Sequence, residues 1–371
     1  MMMGGSRAWR QRVWRRQGVL TLGFLVLLGW LVAHPALAEP PGATAPPAVT
    51  EPVTAPVVTI PAAAVPAAAK TGTVKVGLFI TQLYDLDMPR RSFNATFWAW
   101  FLHNDEAYKP VDTVEIVNAK TSTLRFPSVT PEYNIPWQTG NSRVFWTQGK
   151  YAATLSQDFD VTKFPFDRQT LLIMIEDAQN DVDQTIFLAD SDNSKIDKAV
   201  KIPGWQIESF NIQSGHAVYD TTYGDPSLQG SSTYSRVTAS IVVKRDGLRL
   251  LGSMFIGFFV AFALTFLTYF LDTEFMAGSR IGLCGGAIFA SVGNKFVVDT
   301  SLPPASTFTL SDAIEASTFC AIVMAILIVV LVRATQSQRP RLAKGINAGG
   351  AVLSAGSYLT YNSLMIFQAM K

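Results

Sequence analysis

The sequence predicts an all-β sandwich followed by a four-helix transmembrane domain, and three observations carry that prediction. Only 16% of the 371 residues are charged while 49% are hydrophobic, where soluble domains run near roughly 25% charged. Residues 73–246 consist of short β-branched and aromatic runs separated by turn residues, the pattern of an antiparallel sandwich of ordinary domain size. Beyond residue 246 come four apolar stretches, each near the ~20 residues that a helix needs to cross a bilayer.

The N-terminal run Arg7, Arg10, Arg12, Arg15 and Arg16 precedes an apolar segment from Val19 to Val32, and Ala36-Leu37-Ala38 follows it. A charged, an apolar and a small-residue region in that order predict a secretory signal peptide over residues 1–38, cleaved before Glu39. Residues 39–72 are rich in Pro, Ala, Val and Thr without periodicity and read as an extended, semi-rigid linker. Strands are predicted over Val74–Ile80, Phe93–Phe101, Tyr151–Ser156, Gln169–Ile175, Gln206–Gln213 and Ser235–Val243. Helices are predicted at about 248–271, 280–298, 312–333 and 346–370, the second interrupted by Asn294 and Lys295.

The connection between the third and fourth helices carries Arg333, Arg339, Arg341 and Lys344 and no acid, which assigns it to the cytoplasm. Four spans then leave both the β-domain and the C-terminus outside. Cys284 and Cys320 lie within the apolar stretches, so no disulfide is expected in the exported part. A net charge of +2 gives no reason to expect nucleic acid as a partner. His34, His103 and His216 stand apart, and no metal-ligand spacing, phosphate loop or nucleophile motif occurs. Neither an enzyme nor a cofactor nor a metal is therefore expected.

The most specific stretch is Asp160-Val161-Thr162-Lys163-Phe164-Pro165-Phe166-Asp167-Arg168-Gln169. Pro165 fixes φ and pushes Phe164 to extended geometry, so both rings can bury while Asp167 stays available to pair with a cation. This run, ahead of four apolar spans, closely resembles the signature loop of pentameric ligand-gated ion channels, the Cys-loop receptor superfamily. Tyr84-Asp85-Leu86-Asp87 is similar to that family's first inter-strand loop, and Gly204-Trp205-Gln206-Ile207-Glu208-Ser209-Phe210 to its strand after the binding loops. Tyr234-Ser235-Arg236 leads into a strand ending at Lys244-Arg245, and Asp299-Thr300-Ser301-Leu302-Pro303 resembles the turn between the second and third helices. The bridging cysteines would fall at Gln157 and Leu171, so the likeness is to the bacterial type without the loop cysteines.

The resemblance implies an immunoglobulin-like, periplasmic ligand-binding domain, a homopentamer in the lipid bilayer of a bacterial inner membrane, and a pore lined by the second helix. A small-molecule or proton agonist would open it to inorganic ions, with a lean toward cations. Coupling falls to Asp87, Phe164, Pro165, Phe166, Asp167, Arg245 and Pro303, with Arg245 flanked by the carboxylates of Asp167 and Asp87. Ligand binding falls to Glu176, Tyr219 and Tyr234, the tyrosines as walls of a cage and the glutamate as its counter-charge. Ala178 stands where amine-responsive relatives carry an aromatic ring.

For the pore the family register implies Gly282, Gly286, Phe289, Gly293 and Phe296, with Phe289 and Phe296 as apolar rings that gate by dewetting. Asp299 would sit at the outer mouth, Asp272 and Glu274 near the inner one, with Arg280 opposing them. A rival stripe of Arg280, Cys284, Ala287, Ser291 and Asn294 is more polar, and polar groups in a span tend to face water or protein. Gly282 and Gly286 are also spaced like a helix-packing pair. On the first register Lys295 needs a partner such as Asp312 or Glu315. The first span lacks the family's proline, which leaves open the alternative of a non-conducting membrane receptor or sensor on the same scaffold.

Overall fold

Alternation between buried and solvent-facing side chains builds the strands. In β1 (Gly72–Asp87) Val76, Leu78 and Ile80 are fully buried, as are Phe93, Ala95, Phe97, Ala99 and Phe101 of β2 (Ser92–His103). β7 (Arg168–Asp177) buries Leu171, Ile173 and Ile175, and β11 (Ser232–Arg245) buries Val237, Ala239, Ile241 and Val243. A period of two places each set on one face of its sheet. The computed structural model describes residues 72–125, 135–139, 142–224, 230–272, 276–304 and 307–370. The expected signal peptide, the expected linker up to residue 71, and Glu274 lie outside the described residues.

These strands form two sheets. The larger runs β4 (Ala119–Arg125), β6 (Ser142–Ser156), β2, β1, β8 (Thr185–Ala189), with β5 (Ile135–Thr139) on β6 and β9 (Lys195–Ile196) on β1. The smaller runs β10 (Trp205–Tyr219), β11, β7, β3 (Val114–Ile116). Each of the six strands read from the sequence is contained in an observed one, but the expected purely antiparallel arrangement is corrected. β1 pairs in parallel with both β8 and β9, so the larger sheet is mixed. Those two strands have five and two residues, too few to carry a period. The edge N–H groups of β8 are satisfied by hydroxyls: Phe187 N donates to Ser235 Oγ at 2.8 Å and Ala189 N to Ser214 Oγ at 2.7 Å.

Gly77 is required by a close approach. It faces Trp100 across the β1–β2 pair, and a Cβ there would run into the indole ring. That indole donates to Asp190 at 3.0 Å, which also pairs with Lys75 at 2.8 Å. Burial by itself would raise the Asp190 carboxyl, but hydrogen bonds from Lys75, Trp100 and Asn193 outweigh it and hold the group below its ordinary value.

Helices follow a short α1 (Pro110–Thr113) and the end of β11: α2 (Gly247–Met254), α3 (Ile256–Leu267) with a 3-10 turn over Thr268–Phe270, α4 (Ala277–Asp299), α5 (Leu310–Gln336) and α6 (Pro340–Met370). Among the described residues α4 and α5 are long and apolar enough to cross a membrane, and the pair α2–α3, bent by 50°, makes a third if counted as one span. α6 has 31 residues but is diluted by Gly345, Asn347, Gly349, Gly350, Ser354, Gly356 and Asn362 and is not among them. The expected first helix is broken at Phe255 despite having no proline. Phe255 is fully buried, and the Gly257 N–H beyond the break donates to Asn294 Oδ1 of α4 at 3.1 Å.

Contacts divide the chain into two compact units. One holds Phe258–Val292 and Ala313–Leu364, where Ala261, Tyr269, Cys284, Ala287, Ile322 and Ala325 form an apolar cluster. The other holds the strands, α2 and Gly293–Asp312.

Gly77→Ala is expected to push Trp100 off Asp190 and to cost about 1–3 kcal/mol, read as a lowered unfolding temperature of the purified protein. The folded-state pKa of Asp190 is depressed, so its contribution is fully present above the ordinary carboxylate value near 3.8 and is lost as pH falls through the folded value. Asp190→Asn is therefore expected to flatten the acid limb of a stability-against-pH profile.

Candidate functional site

Arg245, the last residue of β11, is the centre of a densely bonded polar cluster. Its Nε lies 2.7 Å from Asp167 Oδ1 and its Nη2 3.2 Å from Asp167 Oδ2, a two-point bond. The two side chains are 10% and 2% exposed. Asp167 Oδ2 also accepts Gln169 Nε2 at 2.7 Å, and the Arg245 N–H donates to the Asp167 carbonyl at 3.1 Å. The guanidinium carbon stands 3.9 Å from the centre of the Trp205 ring, its cross-strand partner, and 5.0 Å from that of Phe164. A cation is thus held by one carboxylate and two ring faces.

The expectation that Asp87 supplies a second carboxylate is corrected. Asp87 closes the turn before β2 instead, accepting the Arg90 N–H at 2.9 Å and lying 3.6 Å from the Arg90 guanidinium. A carboxylate that caps its own turn is drawn back along the chain. Met88, one residue later, is the group that reaches Arg245, with Sδ 2.7 Å from Nη2.

The loop that carries Asp167 is held at both ends. Phe164 is buried and stacks on Phe255 at 6.2 Å between ring centres. The Phe164–Pro165 peptide is cis. The Pro165 carbonyl and the Phe166 ring fill the space where a Cβ on Gly247 would be, so the first residue of α2 has to be glycine. Thr162 O accepts the N–H of Leu310, the first residue of α5, at 3.2 Å. Pro303 is buried, and Arg91 Nη2 donates to the Pro304 carbonyl at 3.2 Å. Arg91 was not read from the sequence; an exposed arginine in a turn carries no local signal.

The expected ligand residues also come together. Tyr219, Tyr234 and Tyr223 meet edge to face in a triangle with ring centres 5.8, 5.9 and 6.3 Å apart. Tyr223 was not among the expected residues; it lies in the insert between the other two. Glu176 is 2% exposed and pairs with Arg236 Nε, while Tyr219 OH donates to Glu176 Oε2 and accepts from Arg236 Nη2, each at 3.0 Å. The role of Glu176 as a free counter-charge is therefore corrected: Arg236 of the same chain already answers it. The register signals this, because Arg236 and Glu176 are direct partners across β11 and β7. Glu115 of β3 is the partner of Glu176 on its other side. Burial, then the Glu176 charge, pushes the Glu115 carboxyl up. Burial and Glu176 together push the Tyr219 hydroxyl up.

The two stripes of α4 have opposite fates. Gly282, Gly286, Phe289, Gly293 and Phe296 are all exposed, Phe289 by 81% and Phe296 by 71%. Arg280, Cys284, Ala287 and Ser291 of the rival stripe are buried, and Asn294 is spent on capping Gly257. Arg280 is turned into its own unit, where Nη2 donates to Asn347 Oδ1 at 2.5 Å and Asn347 in turn donates to the Tyr269 carbonyl at 2.7 Å. Arg280, in the first turn of α4, therefore has its side chain buried and turned away from the exposed stripe. Asp272 is exposed. Asp299 is exposed but engaged, 2.6 Å from Lys295 Nζ, which also lies 2.5 Å from Asp312.

No protein-family model matches the chain, and no curated protein matches it. Among the described residues no group of three or more His, Cys, Asp or Glu side chains is placed to hold a metal ion.

Asp167→Asn leaves a largely buried guanidinium without its charge partner and is expected to cost about 3–5 kcal/mol, measured as a drop in unfolding temperature. Trp205→Leu keeps the ion pair and is expected to cost less, on the order of 1–2 kcal/mol. At the other cluster the folded pKa of Glu115 is raised, so the stability it confers is full below the ordinary glutamate value and is lost as pH rises through the folded value. Glu115→Gln is expected to remove that pH dependence and to raise the unfolding temperature at neutral pH.

Proposed function

We propose that the chain is a subunit of a homopentameric ligand-gated ion channel in a bacterial inner membrane, of the Cys-loop superfamily type without loop cysteines. The observation that carries this reading is the loop from Asp160 to Asp167. It bonds at once to the end of β11 through Asp167–Arg245 and to the start of α5 through Thr162–Leu310. A relay needs an element whose position is set jointly by the β-region and by the ends of the apolar helices.

On this reading the β-region is an immunoglobulin-like, periplasmic sandwich, and α2–α3, α4, α5 and α6 are four spans with the C-terminus outside. Residues 1–38 are a secretory signal peptide, consistent with export of the β-region. The agonist is a small molecule seated by the Tyr219–Tyr223–Tyr234 triangle, or a proton taken up at Glu115 of β3. Binding shifts the population toward an open arrangement; the ligand's preference for that arrangement limits the shift. Five copies of α4 turn Gly282, Gly286, Phe289, Gly293 and Phe296 toward a common axis. Support comes from the exposure of that stripe while the polar stripe is used up within its own chain. Rings of Phe289 and Phe296 close the pore by excluding water.

One observation favours a second reading, a non-conducting receptor or sensor. The exposed stripe offers no hydroxyl or amide to replace water around an ion.

The two readings separate in potassium flux into liposomes containing the purified protein, beside a Phe289→Ala/Phe296→Ala variant that removes both apolar rings without knowledge of the agonist. Flux in the variant, absent or agonist-gated in the parent, is the expected outcome. A folded pentamer that passes no ion in either form would favour the sensor.

A further inference from the structure

Asp312 holds two groups with its two oxygens. At the start of α5 it forms a reciprocal cap with Thr309. Thr309 N and Oγ1 both donate to Asp312 Oδ2 at 2.7 Å, and Asp312 N donates to Thr309 Oγ1 at 3.3 Å. That leaves Oδ1 for Lys295 of α4, 2.5 Å away, and the same ammonium reaches Asp299 Oδ1 at 2.6 Å.

The three charges sum to one negative. They are unequally placed: Asp299 is 52% exposed, Asp312 27% and Lys295 21%. At 3.6 residues per turn Asp299 lies about 60° round α4 from Phe296, and Lys295 a further 40° or so toward the buried face. The ammonium thus stands behind the exposed carboxylate, and Asp312 keeps it there. A lysine free of this clamp would swing its head into water, as long cationic side chains do.

We propose that Lys295 sets the charge preference of the pore by masking Asp299, with Asp312 as the positioning residue; this rests on the channel reading above. Asp299 stands at the edge of the Phe289–Phe296 stripe. Repeated around an axis, it makes a ring whose field acts on every ion that passes. With Lys295 clamped between Asp299 and Asp312, each copy brings one net negative charge rather than two. The parent pore then discriminates weakly between cations and anions. Unmasking the ring makes it cation-selective.

Reversal potentials under a potassium chloride gradient test this, in planar bilayers containing the full chain in the Phe289→Ala/Phe296→Ala background. Lys295→Gln is expected to raise the potassium-to-chloride permeability ratio by about threefold or more, since each copy gains a full unscreened charge within roughly a Debye length of the axis. Adding Asp299→Asn is expected to cancel that gain. Asp299→Asn alone changes a half-exposed position and so guards against misfolding of the lysine variant; it is expected to lower the ratio below that of the background. Asp312→Asn, which removes one negative charge and frees the Lys295 ammonium to swing toward water at the mouth, is expected to lower it as well. A current whose ratio does not move with Lys295→Gln or with Asp299→Asn overturns the masking and leaves the channel reading standing. No current from a folded pentamer in any of these variants overturns both.

Discussion

The bond between Asp167 and Arg245 is the constraint on which the rest of the junction depends. A guanidinium at 10% exposure is tolerable only because a carboxylate takes two of its donors and the ring faces of Trp205 and Phe164 cover it. Removing water from such a pair costs each ion several kcal/mol, which close geometry has to offset. The neighbouring residues follow from that need. Phe164 must be buried to face the cation, Gln169 must hold the second oxygen of Asp167, and Gly247 must lack a Cβ so that Pro165 and Phe166 can lie against the chain as it leaves β11.

A second economy runs through the helices. Breaking the apolar run at Phe255 frees a backbone N–H in a segment with little polar surface, and an unmatched donor there is costly. Asn294 supplies the acceptor from α4. The same residue is thereby turned away from the exposed face of α4, where Phe289 and Phe296 stand. Lys295, the next residue, is answered by Asp299 and Asp312. The two residues that make α4 an awkward membrane helix by composition are both spent on holding it to its neighbours.

Much of this was legible beforehand for identifiable reasons. Strands with a strict period, such as Phe93 to Phe101, announce themselves because each inward position is a large apolar group. The pairing of Asp167 with Arg245 was legible from the signature-loop likeness, and Lys295 with Asp312 from the cost of an unpaired ammonium in an apolar stretch. What failed was reach. Asp87 has the right charge and is in the right loop, yet its own turn claims it before Arg245 can. Arg236 was not linked to Glu176 because their meeting depends on the register of two strands separated by the β8–β10 stretch and the insert after Tyr219.

By itself the sequence determined a β-rich region followed by long apolar helices, because burial period and run length are local quantities that each segment carries within it. It also determined that α4 has two candidate faces. Which face is buried was decided only by tertiary structure, since side-chain polarity and glycine spacing pointed in opposite directions and packing against α5 and α6 is not a local property. Tertiary structure likewise decided that Trp205, Met88 and Phe164 surround Arg245, and that β8 and β9 run parallel to β1. In each case the deciding free energy comes from groups far apart in the chain, whose meeting no window of sequence contains.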